Sequence, residues 1–151
     1  MRIAVSGTHR TGKSTLVAAL GERLPGYRTV AEPYEMLVER GYDFADPPDV
    51  DDFVIQVKQS LRTLRRQAPN LILDRCPLDF LGYIAVSPGA DAFDLEAWRI
   101  PISLAMQSLD LVIFLPADAA HTPAGVVDAE DAAYRLAVDA ELRDIVGSDR
   151  L

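Results

Sequence analysis

Residues 1–15, MRIAVSGTHRTGKST, decide how this chain folds. Ile3, Ala4 and Val5 form the short apolar run that a buried strand needs. The next eight residues, Gly7-Thr8-His9-Arg10-Thr11-Gly12-Lys13-Ser14, match G-x-x-x-x-G-K-[ST] at every fixed position. Gly7 and Gly12 let the backbone turn where a Cβ would clash, so that successive N–H groups point inward and the following helix presents its positive end. Phosphate oxygens suit such a concavity. Lys13 adds a full charge near the β- and γ-phosphates, and the Ser14 hydroxyl is placed to ligate Mg²⁺. The competing reading is a Gly-rich turn that merely joins a strand to a helix. Four fixed positions with a strand before and a helix after weigh against it. Thr8, His9, Arg10, Thr11 and Thr15 join Gly7, Gly12, Lys13 and Ser14 as the expected nucleotide contacts.

Downstream, Leu16, Ala19, Leu20 and Leu24 share one helical face, and Pro25-Gly26 ends that helix. Residues 27–31 read as a short strand with Glu32 at its carboxyl end, followed by a helix over 34–40 that Pro33 starts and Gly41 closes. In an open α/β sheet that end of a strand is the ligand side, so Glu32 is a site candidate, with a helix-capping acid as the alternative. Asp49 is a plausible N-cap for a helix to about residue 68, with Val50, Phe53, Val54, Val57, Leu61 and Leu64 on its core face. Gln56, Gln59 and Arg62 fall off that face and read as solvated.

Leu71-Ile72-Leu73-Asp74 is the second diagnostic stretch. A continuous apolar run ending in an acid is how a buried parallel strand delivers a carboxylate to a Mg²⁺–phosphate site. The other apolar strand, residues 111–115, ends in Pro116 with no acid, so Asp74 is the expected partner of Ser14 at the metal. Arg75 follows at once, within reach of a phosphate or substrate oxygen. A helix over 77–86 comes next, then one from Asp94 in which Pro101 predicts a kink or a break. Residues 116–130, rich in Ala, Pro, Gly and Asp, read as a loop where a mobile lid would lie. A last helix covers 131–146.

Strand–helix alternation from end to end predicts one domain over 1–151, an α/β three-layer fold with a mostly parallel sheet. Four strands are counted. A fifth would follow Gly147, where four residues remain, so the sheet is expected to lack its last strand. With 23 acidic and 15 basic side chains, net −8, the chain repels polyanions, and neither nucleic acid nor an anionic membrane is an expected partner. The single cysteine, Cys76, allows no internal disulfide and points to a reducing cytoplasm. No apolar run approaches the ~20 residues of a membrane helix, and the first strand begins too early for a signal peptide.

Three landmarks, GTHRTGKST at 7–15, AEPY at 31–34 and LDRCPLDFLGY at 73–83, carry a family resemblance. The chain resembles bacterial AAA-like ATP-binding proteins in the kinase-like branch of the P-loop NTPases, over nearly its whole length. More distantly it is similar to deoxynucleoside kinases and to the ribosylnicotinamide kinase domain. The resemblance implies ATP and Mg²⁺ as cofactors and a small nucleoside-like acceptor. It implies that Glu32 positions or deprotonates the acceptor hydroxyl, that Asp74 is the acid of the motif, and that Arg75 contacts phosphate or substrate. Gln56 or Gln59 corresponds to a base-reading glutamine. Kinases of this group bring arginines from the lid, yet 116–130 contains none. Val127 stands about where one is sought, and Arg135 on the next helix is the nearest substitute. A small-molecule kinase is therefore the leading reading. A nucleotide switch or weak NTPase signalling to a protein partner, and a catalytically degenerate ATP-binding domain, are the alternatives.

Overall fold

The computed structural model describes residues 1–117 and 129–147. Its elements are β1 (Arg2–Ser6), α1 (Lys13–Arg23), β2 (Arg28–Val30), α2 (Pro33–Val38), α3 (Val50–Arg65), β3 (Leu71–Asp74), α4 (Pro77–Val86), a 3-10 turn at Ala90–Ala92, α5 (Leu95–Met106), β4 (Leu111–Phe114) and α6 (Ala129–Gly147). The four strands pair in the order β2-β3-β1-β4, and every pairing is parallel. Because β1 lies between β3 and β4, the chain leaving it faces a crevice at the carboxyl edge of the sheet. Val5 stands opposite Asp74 there, which brings the loop after β1 beside the end of β3.

Period-2 alternation sorts the strand residues into two layers. Ala4, Leu71 and Leu73 enter the larger core with Phe53, Val57 and Leu61 of α3, Phe80 of α4, Ile102 of α5 and Leu142 of α6. Val5 and Ile72 face the other way, onto Val17 of α1. The predicted three-layer architecture is thus present, with unequal halves. No fifth strand occurs among the described residues. Most of the lid-like stretch 116–130, Val127 with it, and the residues after Gly147 lie outside the described residues.

Local chemistry explains the element ends. Asp49 and Asp52 form a reciprocal capping box at the start of α3. That helix stops at Arg65 rather than near 68 because Pro69 disfavours a helical residue before it. Of the kink or break expected on α5, the break does not occur: the helix runs through Pro101. Buried Ile102 and Ala105 hold the turn after it against the core, which outweighs one lost backbone bond. Where α4 crosses α6, Gly82 is required, since a Cβ there would stand 2.8 Å from Leu142 Cγ. Arg2 ties the layers from below. Its guanidinium donates to the Leu64 carbonyl at the end of α3 and, at 3.2 Å, to that of Ser108 after α5.

Candidate functional site

The loop between β1 and α1 is built as the sequence requires. Gly7 has φ +143°, and a Cβ on it would run into the Leu115 carbonyl, so the loop packs directly against the end of β4. Gly12 takes the left-handed conformation at the N-cap of α1, leaving the first turn of that helix open at the crevice. Lys13 is buried, and its Nζ donates to the Thr8 carbonyl at 2.5 Å. Burial, with the charge of Arg75 adding to it, pushes the Lys13 amine down to about 8. Thr11 Oγ1 donates to the same carbonyl at 3.0 Å.

Asp74 stands beside Ser14. The Ser14 hydroxyl donates to Asp74 Oδ2 at 2.6 Å, while Oδ1 is buried with no partner. Burial raises the Asp74 carboxyl above its usual range, the Ser14 bond works against that, and the Glu32 charge works with it. A hydroxyl beside an orphaned carboxylate oxygen is a hard-oxygen donor pair, which suits Mg²⁺; that ion typically takes one or two protein oxygens and completes its shell with water and phosphate. No cluster of three or more acidic, His or Cys side chains that could hold a metal occurs among the described residues.

Arg75 is held from several sides. Its backbone is left-handed, φ +73°, an uncommon state for a non-glycine residue. Its Nε donates to Glu32 Oε2 at 2.8 Å and its Nη1 to the Gly7 carbonyl at 3.1 Å, with Asp79 Oδ1 at 3.6 Å. The guanidinium lies 5.3 Å from the Tyr83 ring centre. Burial alone would ease its proton off, but Tyr83, Asp79 and Glu32 more than offset this and hold it firmly charged. Glu32 occupies the N-cap of α2 yet makes no capping bond. Its carboxylate is turned to Arg75 instead, against the capping alternative.

Two cavities meet at these residues. One of about 310 Å³ runs along the loop past Lys13, Ser14 and Thr15. The other, about 470 Å³, is lined by Tyr34, Phe53, Gln56, Phe80, Tyr83 and Tyr134, among others. Glu32, Arg75 and His9 belong to both. Gln56 and Gln59 are buried, a correction to the solvated reading: the loop before α3 and the chain around α2 cover a flank of α3 that its own period marks as outer. Only Gln56 lines the cavity, its Nε2 donating to the Asp52 carbonyl at 3.1 Å. Gln59 is held away, accepting from Arg40 at 2.9 Å. Arg62, by contrast, is exposed. Arg135 is 4% exposed, its Nε has no partner among the described residues, and its charge is felt at His9.

Three residues that the sequence did not single out complete the site. Asp79, fully buried in the first turn of α4, accepts from the Gly7 N–H and the Cys76 N–H, each at 2.8 Å. It therefore staples the loop to α4 and faces Arg75 at once. Its signal was an acid three residues after Cys76, a capping-box spacing. Replacing Asp79 by Asn removes the charge opposite Arg75 and turns an NH₂ toward one of the two N–H donors. The expected cost is about 2 kcal/mol in urea unfolding, with weakened nucleotide binding. A change below the error of the fit would reduce Asp79 to a spectator. Tyr83 and Asp131 are the other two. The Tyr83 Oη accepts from the His9 N–H at 2.7 Å, and Asp131 at the start of α6 receives Arg10 Nη1 at 3.0 Å and faces His9 Nε2 at 2.9 Å.

Several solved structures share this fold. The NadR protein in complex with NR superposes with a TM-score of 0.68 at 19% identity, over 96% of this chain and 40% of its own. The deoxyadenosine kinase from M. mycoides with bound dATP gives 0.65 at 21%, over 99% of this chain and 85% of that one. Thymidylate kinase from Candida albicans gives 0.61 at 16%, over 95% and 76%. The chain therefore spans well under half of the NadR protein and most of the two kinases. No curated protein sequence matches it. No described helix is long and apolar enough to cross a membrane. The AAA_28 model, described as an AAA domain, matches residues 2–148, and the chain belongs to that family.

Proposed function

We propose that this protein is an ATP-dependent kinase that transfers the γ-phosphoryl group to a hydroxyl of a small nucleoside-like metabolite. The observation that carries the reading is the shared wall: Glu32 and Arg75 stand where the phosphate cavity opens into the aromatic one. A donor phosphate held by the loop and an acceptor in the second cavity would meet at these two side chains. The acceptor oxygen bonds to the γ-phosphorus, the bond to the bridging oxygen breaks, ADP leaves, and Glu32 is placed to take the hydroxyl proton. Lys13 and the loop amides hold the phosphates, and Arg75, with Arg135 as the nearest further cation, balances the charge on the transferring group. Ser14 and Asp74 would hold Mg²⁺, which supplies further neutralisation of phosphate charge.

The second cavity favours a nucleoside over a nucleotide acceptor. Its only cationic or potentially cationic side chains among the described residues are Arg75 and His9. Arg75 is bound to Glu32, and Glu32 and Asp131 both oppose a phosphate. Its aromatic faces suit a flat ring, and Gln56, with its amide fixed by the Asp52 carbonyl, offers that ring edge a hydrogen-bonding group. Phosphorus NMR of Mg-ATP incubated with the protein and a pool of nucleosides tests this. A new phosphomonoester signal rising with ADP is expected. ADP with inorganic phosphate alone would replace the kinase by a weak NTPase.

A further inference from the structure

Of the loop residues 7–14, His9 alone lines both cavities. Its imidazole sits in a continuous hydrogen-bonded chain. Asp131 Oδ1 lies 2.9 Å from Nε2, and Tyr83 Oη lies 3.1 Å from Nδ1 and 2.7 Å from the His9 backbone nitrogen. The partners assign the protons. A carboxylate only accepts, so Nε2 carries hydrogen; Nδ1 then takes the Tyr83 hydroxyl proton, and the Tyr83 oxygen takes the His9 N–H. Every donor in the chain has a partner with the ring neutral. The surrounding groups agree: burial lowers the His9 pKa most, Asp131 opposes that, and Arg135 and Arg75 reinforce it. Arg10 shares Asp131, and the Tyr134 ring centre stands 6.1 Å from that of His9.

The chain also reaches into the acceptor cavity. The Tyr83 ring stacks on Phe53 with centres 5.1 Å apart and lies under the Arg75 guanidinium, so a shift of the loop at His9 moves the floor of the second cavity. We propose that the Asp131–His9–Tyr83 chain is a positioning device that locks the phosphate loop to the acceptor cavity, with His9 as its central residue. It acts through Tyr83 and the loop backbone rather than on the reacting atoms. As a positioning device for transfer it rests on the kinase reading; as a lock on the loop it does not.

A double-mutant cycle on Mg-ADP affinity tests the lock by calorimetry. H9F keeps a ring and removes its hydrogen bonds to Asp131 and Tyr83, with the longer 3.3 Å contact to Thr8 Oγ1, and Y83F removes only the hydroxyl. Each is expected to weaken Mg-ADP about five-fold, and the double variant no more than the weaker single, because all three break the same chain. Additive losses, or singles within two-fold of native, overturn the proposal. Melting temperatures identify a misfolded H9F, in which case D131A, which removes the acceptor of the His9 Nε2 proton, takes its place in the cycle with the same criteria. With a phosphorylated acceptor in hand, both single variants are also expected to lower kcat about ten-fold. If no acceptor is phosphorylated the kinase reading falls, while the ADP cycle still decides the lock.

Discussion

Lys13→Ala is expected to weaken Mg-ATP binding by about 100-fold or more, the scale of losing one partner from a desolvated charge contact. The Lys13 amine is buried beside the loop, where it donates to the Thr8 carbonyl, and burial together with Arg75 already makes its charge costly. A triphosphate in the cavity would supply the counter-charge that the loop carbonyl cannot. Because alanine removes a cation held in an unfavourable place, the loss should appear in binding and not as unfolding. Calorimetry with Mg-ATP beside a melting curve separates the two. Retained affinity in a folded variant would remove the basis for any nucleotide-binding reading of this chain.

Glu32→Gln carries the second large effect, and it should fall on turnover instead. The glutamine oxygen can still accept from Arg75 Nε, so the bond seen at 2.8 Å and the end of α2 stay in place. What disappears is the carboxylate that would receive the acceptor proton. Loss of a positioned base typically costs ~10²–10⁴ in rate. We expect kcat to fall about 1,000-fold with the Mg-ATP dissociation constant within three-fold of native. Equal turnover would reduce Glu32 to a brace for Arg75.

The parts of this site that were legible in the sequence are those whose chemistry is local or set by one strand end. Gly7, Gly12, Lys13 and Ser14 reveal themselves by spacing, because the loop is one continuous turn. Asp74 was legible because a buried parallel strand is an apolar run and its last residue emerges at the carboxyl edge. Asp79, Tyr83 and Asp131 were not. Their partners lie 72, 74 and 122 residues away, and only the stacking of α4 and α6 brings them to the loop. Gln56 and Gln59 were misplaced for a related reason. Helical period marks one buried face, whereas α3 is covered on a second flank by residues that have no periodic signature of their own. Pro101 shows the converse, with a strong local breaker overruled by the packing of Ile102 and Ala105.

The unequal halves of the sheet bear on how the molecule opens. α4 buries eight of its ten residues, while α1 buries only Lys13 and Val17. The helix whose first turn faces the loop cavity is thus thinly anchored, and local opening concentrates in such segments. Amide hydrogens of α1 belong among the faster exchanging in the nucleotide-free protein. An anion bound at that helix end would contribute to its order as well as to recognition, so a nucleotide held there would help complete the second layer of the fold.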